Sequence, residues 1–289
     1  VRRGLAEASS EPVQLALLRD MALMLLGSTG GGDGVAAPPT DSKSAPMNRH
    51  QLQVVLVEVS HLIVAVGEAA ASSLNDICPA LEACLRHPDH GVRHEAAVAC
   101  SAVATAFPCE GRRILKSRID DMQSHMNEIE RLAVESEAEA AAAAKMAPKK
   151  KFRRPRLTKT ADTTTTSVEK SMPHQYAIHG NAIVVSMLVH ELHHLPGGVA
   201  TETLDTIIAV SKNLLNCQYS EGLVEANPGA ACTCVRAGYF MISSALTLGT
   251  MAISNHFASV FTLWQRSAKS AEESTANFTS PDQDLICID

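Results

Sequence analysis

LNDICPALEACLRHPDHGVRHEAAVACSAVATAFP, residues 74–107, is the stretch on which the fold turns. Pro, Asp and Gly crowd into His87-Pro88-Asp89-His90-Gly91, a tight turn between one helix through Arg86 and a second from about Val92 to Phe107. Leu81, Cys84 and Leu85 form an apolar stripe on the first helix. Val92, Ala96, Ala99 and Val103 form one on the second, at i, i+4, i+7 and i+11. The small residues Ala96, Ala97, Ala99, Cys100 and Ala102 let another helix approach closely. A hairpin of this length cannot bury its own apolar faces, so it needs neighbours stacked on both sides.

The rest of the composition agrees with close-packed helices. Of the 289 residues, 46% are hydrophobic but only 3% aromatic, a mixture dominated by Ala, Leu, Val, Ile and Met. The net charge of −6 gives no overall attraction to nucleic acid, and few aromatics are available for base stacking. No specific nucleic acid is expected as a partner. The eight cysteines run from Cys78 to Cys287 without a C-x-x-C, and Cys232 and Cys234 are too isolated for a zinc half-site. They read as small buried hydrophobes in a reducing compartment, hence a cytoplasmic chain without disulfides. The run VVLVEVSHLIVAVG, residues 54–67, is short and carries Glu58 and His61, so it is not expected to span a bilayer. No leader peptide is legible, and a start at Val1 suggests a section of something longer.

Helical patterns cover residues 11–27, 48–71, 112–144, 174–194, 201–216, 228–248 and 252–268 beside the hairpin, and no strand pattern competes. The chain therefore reads as all-α. Its expected divisions are an N-terminal helix (1–27), a flexible Gly/Pro/Ser linker (28–47), helical repeats (48–144), a disordered basic and Thr-rich insert (145–172), further helical repeats (173–268) and an acidic tail (269–289). The insert concentrates Lys149, Lys150, Lys151, Arg153, Arg154 and Arg156, a candidate interaction patch for phosphate groups or an import signal. A solvated loop is the plainer reading of that run. The acidic pairs Asp120-Asp121 and Glu272-Glu273 read as solvated faces.

One short motif suggests chemistry. His190, Glu191 and His194 have the H-E-x-x-H spacing of a zinc hydrolase helix, where two histidines bind metal and the glutamate polarises water. The longer form of that motif requires a third histidine where this chain has Ala200. Val184, Val185, Leu188, Leu192 and Leu195 form one apolar arc, and His190 lies about 170° from its centre. Histidines at a helix C-terminus also sit favourably against the helix dipole. The motif therefore reads as a helix end, with no metal, no cofactor and no small-molecule substrate expected. A zinc hydrolase remains the alternative from a different functional class. Neither a phosphate-binding glycine loop nor a nucleophile elbow occurs in strand-to-helix context.

PDHGVRHEAA, residues 88–97, resembles the turn of a HEAT repeat, with Asp89, Val92 and Arg93 at that motif's Asp and Val-Arg positions. The resemblance implies an α-solenoid of HEAT-like antiparallel hairpins, with Asp and Arg side chains hydrogen-bonded along its inner turns. A more specific likeness lies in YAIHGNAIVVSML (176–188), RAGYFMISSALTLG (236–249) and HFASVFTLW (256–264). Together with QLQVVLVEVSHLIVAVG (51–67) and the 74–107 hairpin, these are similar, in the same order, to the amino-terminal half of the HEAT repeat-containing protein 5 family. The motif positions are His179, Gly180, Asn181, Ala237, Gly238, Tyr239, Gly249, His256 and Trp264. The chain departs from the pattern around the insert, where residues 133–172 stand in place of a short inter-helix connection in relatives.

That resemblance implies a non-enzymatic scaffold. It points to the clathrin adaptor complex and its accessory subunits as partners, and to vesicle traffic between Golgi, endosomes and plasma membrane. It also implies a cytoplasmic location, peripheral on Golgi, endosomal and clathrin-coated vesicle membranes. A HEAT scaffold of another class, for nuclear transport or a phosphatase, is the nearer alternative, and the basic run is its strongest support.

Overall fold

The computed structural model describes residues 9–29, 47–146, 161–195, 197–249 and 253–266. All the regular structure among them is helical, without a strand, so the chain is all-α. The basic residues Lys149 to Arg156 and the acidic tail lie outside the described residues. The chain divides into two units, Val1–Leu248 and Gly249–Asp289.

In the first unit, α1 is Glu11–Thr29, α2 Arg49–Val66, α3 Leu74–Leu85, α4 His90–Ala106 and α5 Pro108–Met146. They are followed by α6 (Ala161–His193), α7 (Thr201–Asn216), the short α8 (Glu221–Ala226) and α9 (Pro228–Thr247). Two 3-10 segments, Gly67–Ser73 and Cys217–Tyr219, sit between helices. In the second unit, α10 covers 257–266.

Polar side chains set several of these starts. Asn48 caps α2 in a reciprocal box: its Oδ1 accepts from the Gln51 N–H at 3.0 Å while Gln51 Oε1 accepts from the Asn48 N–H at 2.9 Å. Asp89 caps α4, and Asn227 caps α9 ahead of Pro228. The helix expected to run to residue 71 stops at Val66, because Gly67 adopts φ +60° and the chain tightens to 3-10. The break expected at 219–229 contains α8.

Consecutive helices pack on each other, α1 on α2, α3 on α4 and α5 on α6, and α7 packs on α9 across the short α8. Across these pairs, α2 packs along α4, α4 along α6 and α6 along α9, so one helix of each pair stands in a single file. The expected stripes form the core. Leu81, Cys84, Leu85, Val92, Ala96, Ala99 and Val103 are buried, as are the small residues Ala97, Cys100 and Ala102. Leu52, Leu56, Val59, Leu62 and Ile63 turn the apolar face of α2 into the same core. By length and composition alone, Arg49–Leu85 would be apolar enough to cross a membrane. Cys84, Cys100, Cys217 and Cys234 are buried, whereas Cys109 and Cys232 are exposed and Cys78 is half-buried.

The expected insert needs correction at its C-terminal side. Helix α6 begins at Ala161, so 161–172, read as part of a disordered segment, is helical. The Thr run and Pro173 suggested a break, but Thr costs only tenths of a kcal/mol per helical position, and the proline is accommodated on the exposed side. Buried contacts outweigh both. Ser171, 2% exposed, accepts from Gln175 Nε2 at 2.9 Å and from Asn227 Nδ2 at 2.5 Å. It thereby ties this end of α6 to the cap of α9. Nor do the insert's residues 145–146 start a loop, since α5 extends through Met146.

Candidate functional site

The turn that opens the hairpin is held by its own side chains. Asp89 Oδ1 accepts from the Val92 N–H at 3.2 Å and from Gln53 Nε2 at 3.3 Å, and Oδ2 lies 3.6 Å from Arg49 Nη1. Burial pushes the Asp89 carboxyl up, but the Val92 and Gly91 amides and the Arg49 cation outweigh it and hold it below the usual range. Val92 is fully buried beneath the turn.

Arg93 is buried, at 6% exposure, and its charge is used inward. Nη1 donates to the carbonyls of His87 and Pro88 at 2.6 and 2.7 Å, closing the turn from below. Nε donates to His179 Nδ1 at 3.3 Å, and the guanidinium lies 5.3 Å from the centroid of the Tyr176 ring. This joins the hairpin to α6. Burial and the adjacent Arg93 cation depress His179 to about 3, so it is neutral at ordinary pH and free to accept. The His90 and Phe240 rings stand edge-on to it at 5.0 and 5.9 Å.

The next two motif residues complete the junction. A Cβ on Gly180 would lie 2.1 Å from the Leu85 carbonyl oxygen, so only glycine lets α6 pass the end of α3 this closely. Asn181 Nδ2 donates to Asp121 Oδ2 at 2.9 Å. Asp121 also faces Arg86 at 3.3 Å, Arg118 at 3.6 Å and His125 at 3.6 Å. Burial raises its carboxyl, but the Asn181 hydrogen bond and the Arg86 and Arg118 cations prevail and hold it low. Arg118, 7% exposed, reaches on to Glu82 at 2.6 Å. His125 and His174 then meet, Nδ1 to Nδ1, at 2.8 Å between α5 and α6.

Asp89, Val92, Arg93, His179, Gly180 and Asn181, distant in sequence, thus share one polar seam linking α3, α4, α5 and α6. Sequence reasoning missed the continuation through Glu82, Arg86, Arg118, Asp121, His125 and His174. Asp121 is half-buried and bridged rather than solvated, whereas its neighbour Asp120 is exposed. The missed signal was position: Arg118, Asp121 and His125 follow each other at i, i+3 and i+7 along one face of α5.

The remaining motif residues lie elsewhere. Ala237 and Gly238 are buried where α9 crosses α7, and a Cβ on Gly238 would come within 2.9 Å of Leu215 Cγ and 3.0 Å of the Ser211 carbonyl oxygen. Tyr239 is 40% exposed, beside Phe240 on the outer face of α9. Gly249 follows α9 with φ +93°. His256 and Trp264 belong to the second unit.

His190 and His194 are exposed near the end of α6, with ring centroids 5.3 Å apart and edge to face, while Glu191 is half-buried. His190 and Glu191 line an open groove of about 410 Å³ with Val98, Ser101, Ser186 and Met187. Among the described residues, no three His, Cys, Asp or Glu side chains are placed to hold a metal ion together. What the seam offers is fixation: its charges are paired with one another across α3, α4, α5 and α6. Comparison of the chain with protein-family models, curated proteins and solved structures finds no match.

Proposed function

We propose that this chain is a section of an α-solenoid built from HEAT-like hairpins, serving as a non-enzymatic scaffold. The observation that carries the reading is the file of α2, α4, α6 and α9, each with a partner helix from its own hairpin. Such a stack presents long surfaces, and binding other proteins is the use to which such surfaces are put. The turn supports it further: Asp89 and Arg93, the HEAT-like positions, hold the hairpin and connect it to its neighbour through His179.

The resemblance to the HEAT repeat-containing protein 5 family extends the reading to partners and place. On it, the chain supports clathrin-adaptor-dependent traffic between Golgi, endosomes and plasma membrane from the cytoplasmic side of those membranes. Fold likeness alone does not carry function, so this step rests on the ordered motifs.

The experiment is affinity capture from cell lysate with the 289-residue chain, followed by mass spectrometry. Recovery of clathrin-adaptor subunits is expected, undiminished by His190→Ala with His194→Ala. Recovery of importins or phosphatase subunits instead would move the scaffold to another class. Stoichiometric zinc in the purified protein, lost in the double histidine variant, would favour a hydrolase.

A further inference from the structure

Cys217 opens the 3-10 turn that follows α7, and Cys234 lies on the buried face of α9. The two elements pack together, and both thiols are free and buried, at 5% and 1% exposure. Gly238 brings their sulfurs within reach. It lets α9 run antiparallel so close to α7 that an added Cβ would lie 3.0 Å from the Ser211 carbonyl oxygen and 3.2 Å from Leu214 Cβ. One turn back along α9 from this contact is Cys234, and just past the end of α7 is Cys217. A disulfide requires two backbones to approach closely in this way. Cys217 Sγ donates to the Asn213 carbonyl at 3.5 Å, which leaves its lone pairs to accept from the Cys234 thiol.

That hydrogen bond divides the roles. Accepting it pushes the Cys217 thiol below its ordinary range, against burial and the exposed Glu130 carboxylate of α5. Donating it, together with burial, pushes Cys234 up. On α3 and α4, by contrast, burial takes Cys78 to about 11 and Cys84 and Cys100 to about 12. We propose that Cys217 and Cys234 are a redox-active pair that is oxidised by a peroxide and closes to a disulfide. The Cys217 thiolate attacks one peroxide oxygen and the O–O bond breaks, leaving a sulfenic acid on Cys217. The departing hydroxide takes up the proton that Cys217 released, giving water. The Cys234 sulfur then attacks the sulfenic sulfur, the S–O bond breaks, and the hydroxide leaves with the Cys234 proton as a second water. Two electrons have passed from the thiols to the peroxide, and a thiol reductant returns them. The disulfide ties the end of α7 to α9 across α8, whichever partners the chain binds.

The test treats the reduced 289-residue chain carrying Cys232→Ser with stoichiometric hydrogen peroxide, blocks the remaining thiols and digests with trypsin. Cys232 is exposed, so its replacement spares the fold, and Cys217 and Cys234 are then the thiols of the peptide released by cuts at Lys212 and Arg236. The expected product is that peptide lighter by two hydrogens, still joined after cleavage at Glu221 or Glu225 and opened by dithiothreitol. It should form at least ~10-fold faster than Cys84 or Cys100 is oxidised, and raise the thermal midpoint by about 5 °C. Cys234→Ser in the same background should leave a sulfenic acid on Cys217 that dimedone traps. A peptide that stays reduced, or whose Cys217 passes to sulfinic acid while Cys234 remains a thiol, would overturn the proposal. So would oxidation of Cys217 no faster than that of Cys84 and Cys100. A thermal midpoint that falls on oxidation would overturn it too, because the sulfurs would then have been forced together.

Discussion

Arg93 and His179, 86 positions apart, meet where the Arg93 Nε–H donates to the Nδ1 of the imidazole at 3.3 Å. The same guanidinium closes the 87–91 turn by donating to two of its carbonyls. One side chain therefore fixes both the shape of the hairpin and its attachment to α6. Arg93→Met keeps the apolar stem but leaves those carbonyls without their donor. It should cost about 2–3 kcal/mol in urea unfolding. A loss under about 0.5 kcal/mol would mean that Arg93 is incidental to the turn.

The neutral state of His179 makes stability depend on pH. Its folded value, about 3, lies below the ordinary 6.5, so the unfolded chain binds the proton more readily. The associated stability is complete above about pH 6.5 and declines as pH falls below it, by up to about 1.4 kcal/mol per pH unit. His179→Gln retains an acceptor for Arg93 without a titrating group. Its unfolding free energy should fall less steeply than the wild type's between pH 7 and 5. Parallel slopes would show that His179 is charged, or exposed, in the folded protein.

Asp121 and Asp120 should behave oppositely. Asp121→Ala removes the acceptor of Asn181 and the carboxylate facing Arg86 and Arg118, while Arg118 keeps Glu82 at 2.6 Å, for a loss of about 1–3 kcal/mol. Asp120 is exposed, and its alanine variant should lie within about 0.5 kcal/mol of the wild type. Chemical denaturation of the two variants compares them directly, and equal effects would remove Asp121 from the seam.

Two glycines test the close helix approaches. At Gly180 an added methyl meets backbone, the Leu85 carbonyl, which cannot move without shifting α3. At Gly238 the overlap is milder, 2.9 Å to Leu215 Cγ and 3.0 Å to the Ser211 carbonyl oxygen. Gly180→Ala should therefore cost about 3 kcal/mol and Gly238→Ala about 1 kcal/mol. The reverse order in thermal unfolding would contradict the packing of α6 against α3.

The hairpin was legible because turn residues and apolar spacing agreed: His87 to Gly91 marked the break, and Val92, Ala96, Ala99 and Val103 the buried face. Arg93, His179, Gly180 and Asn181 were legible only as motif positions, since nothing local shows that they meet across 86 residues. Asp121 was misread because an acidic pair on a helix is ordinarily solvated, and its cations come from 35 residues upstream as well as from its own helix. The start of α6 was misread for a related reason. Thr and Pro have local preferences against helix, whereas the Ser171–Asn227 hydrogen bond joins residues 56 apart. Tertiary burial overrode propensity there.

Direct binding between the purified 289-residue chain and purified clathrin adaptor complex tests the proposed scaffold most directly, by surface plasmon resonance with His190→Ala, His194→Ala as control. Saturable binding by both proteins is the predicted result. No binding by a folded chain, or binding abolished by the histidine changes with the fold preserved, would contradict it.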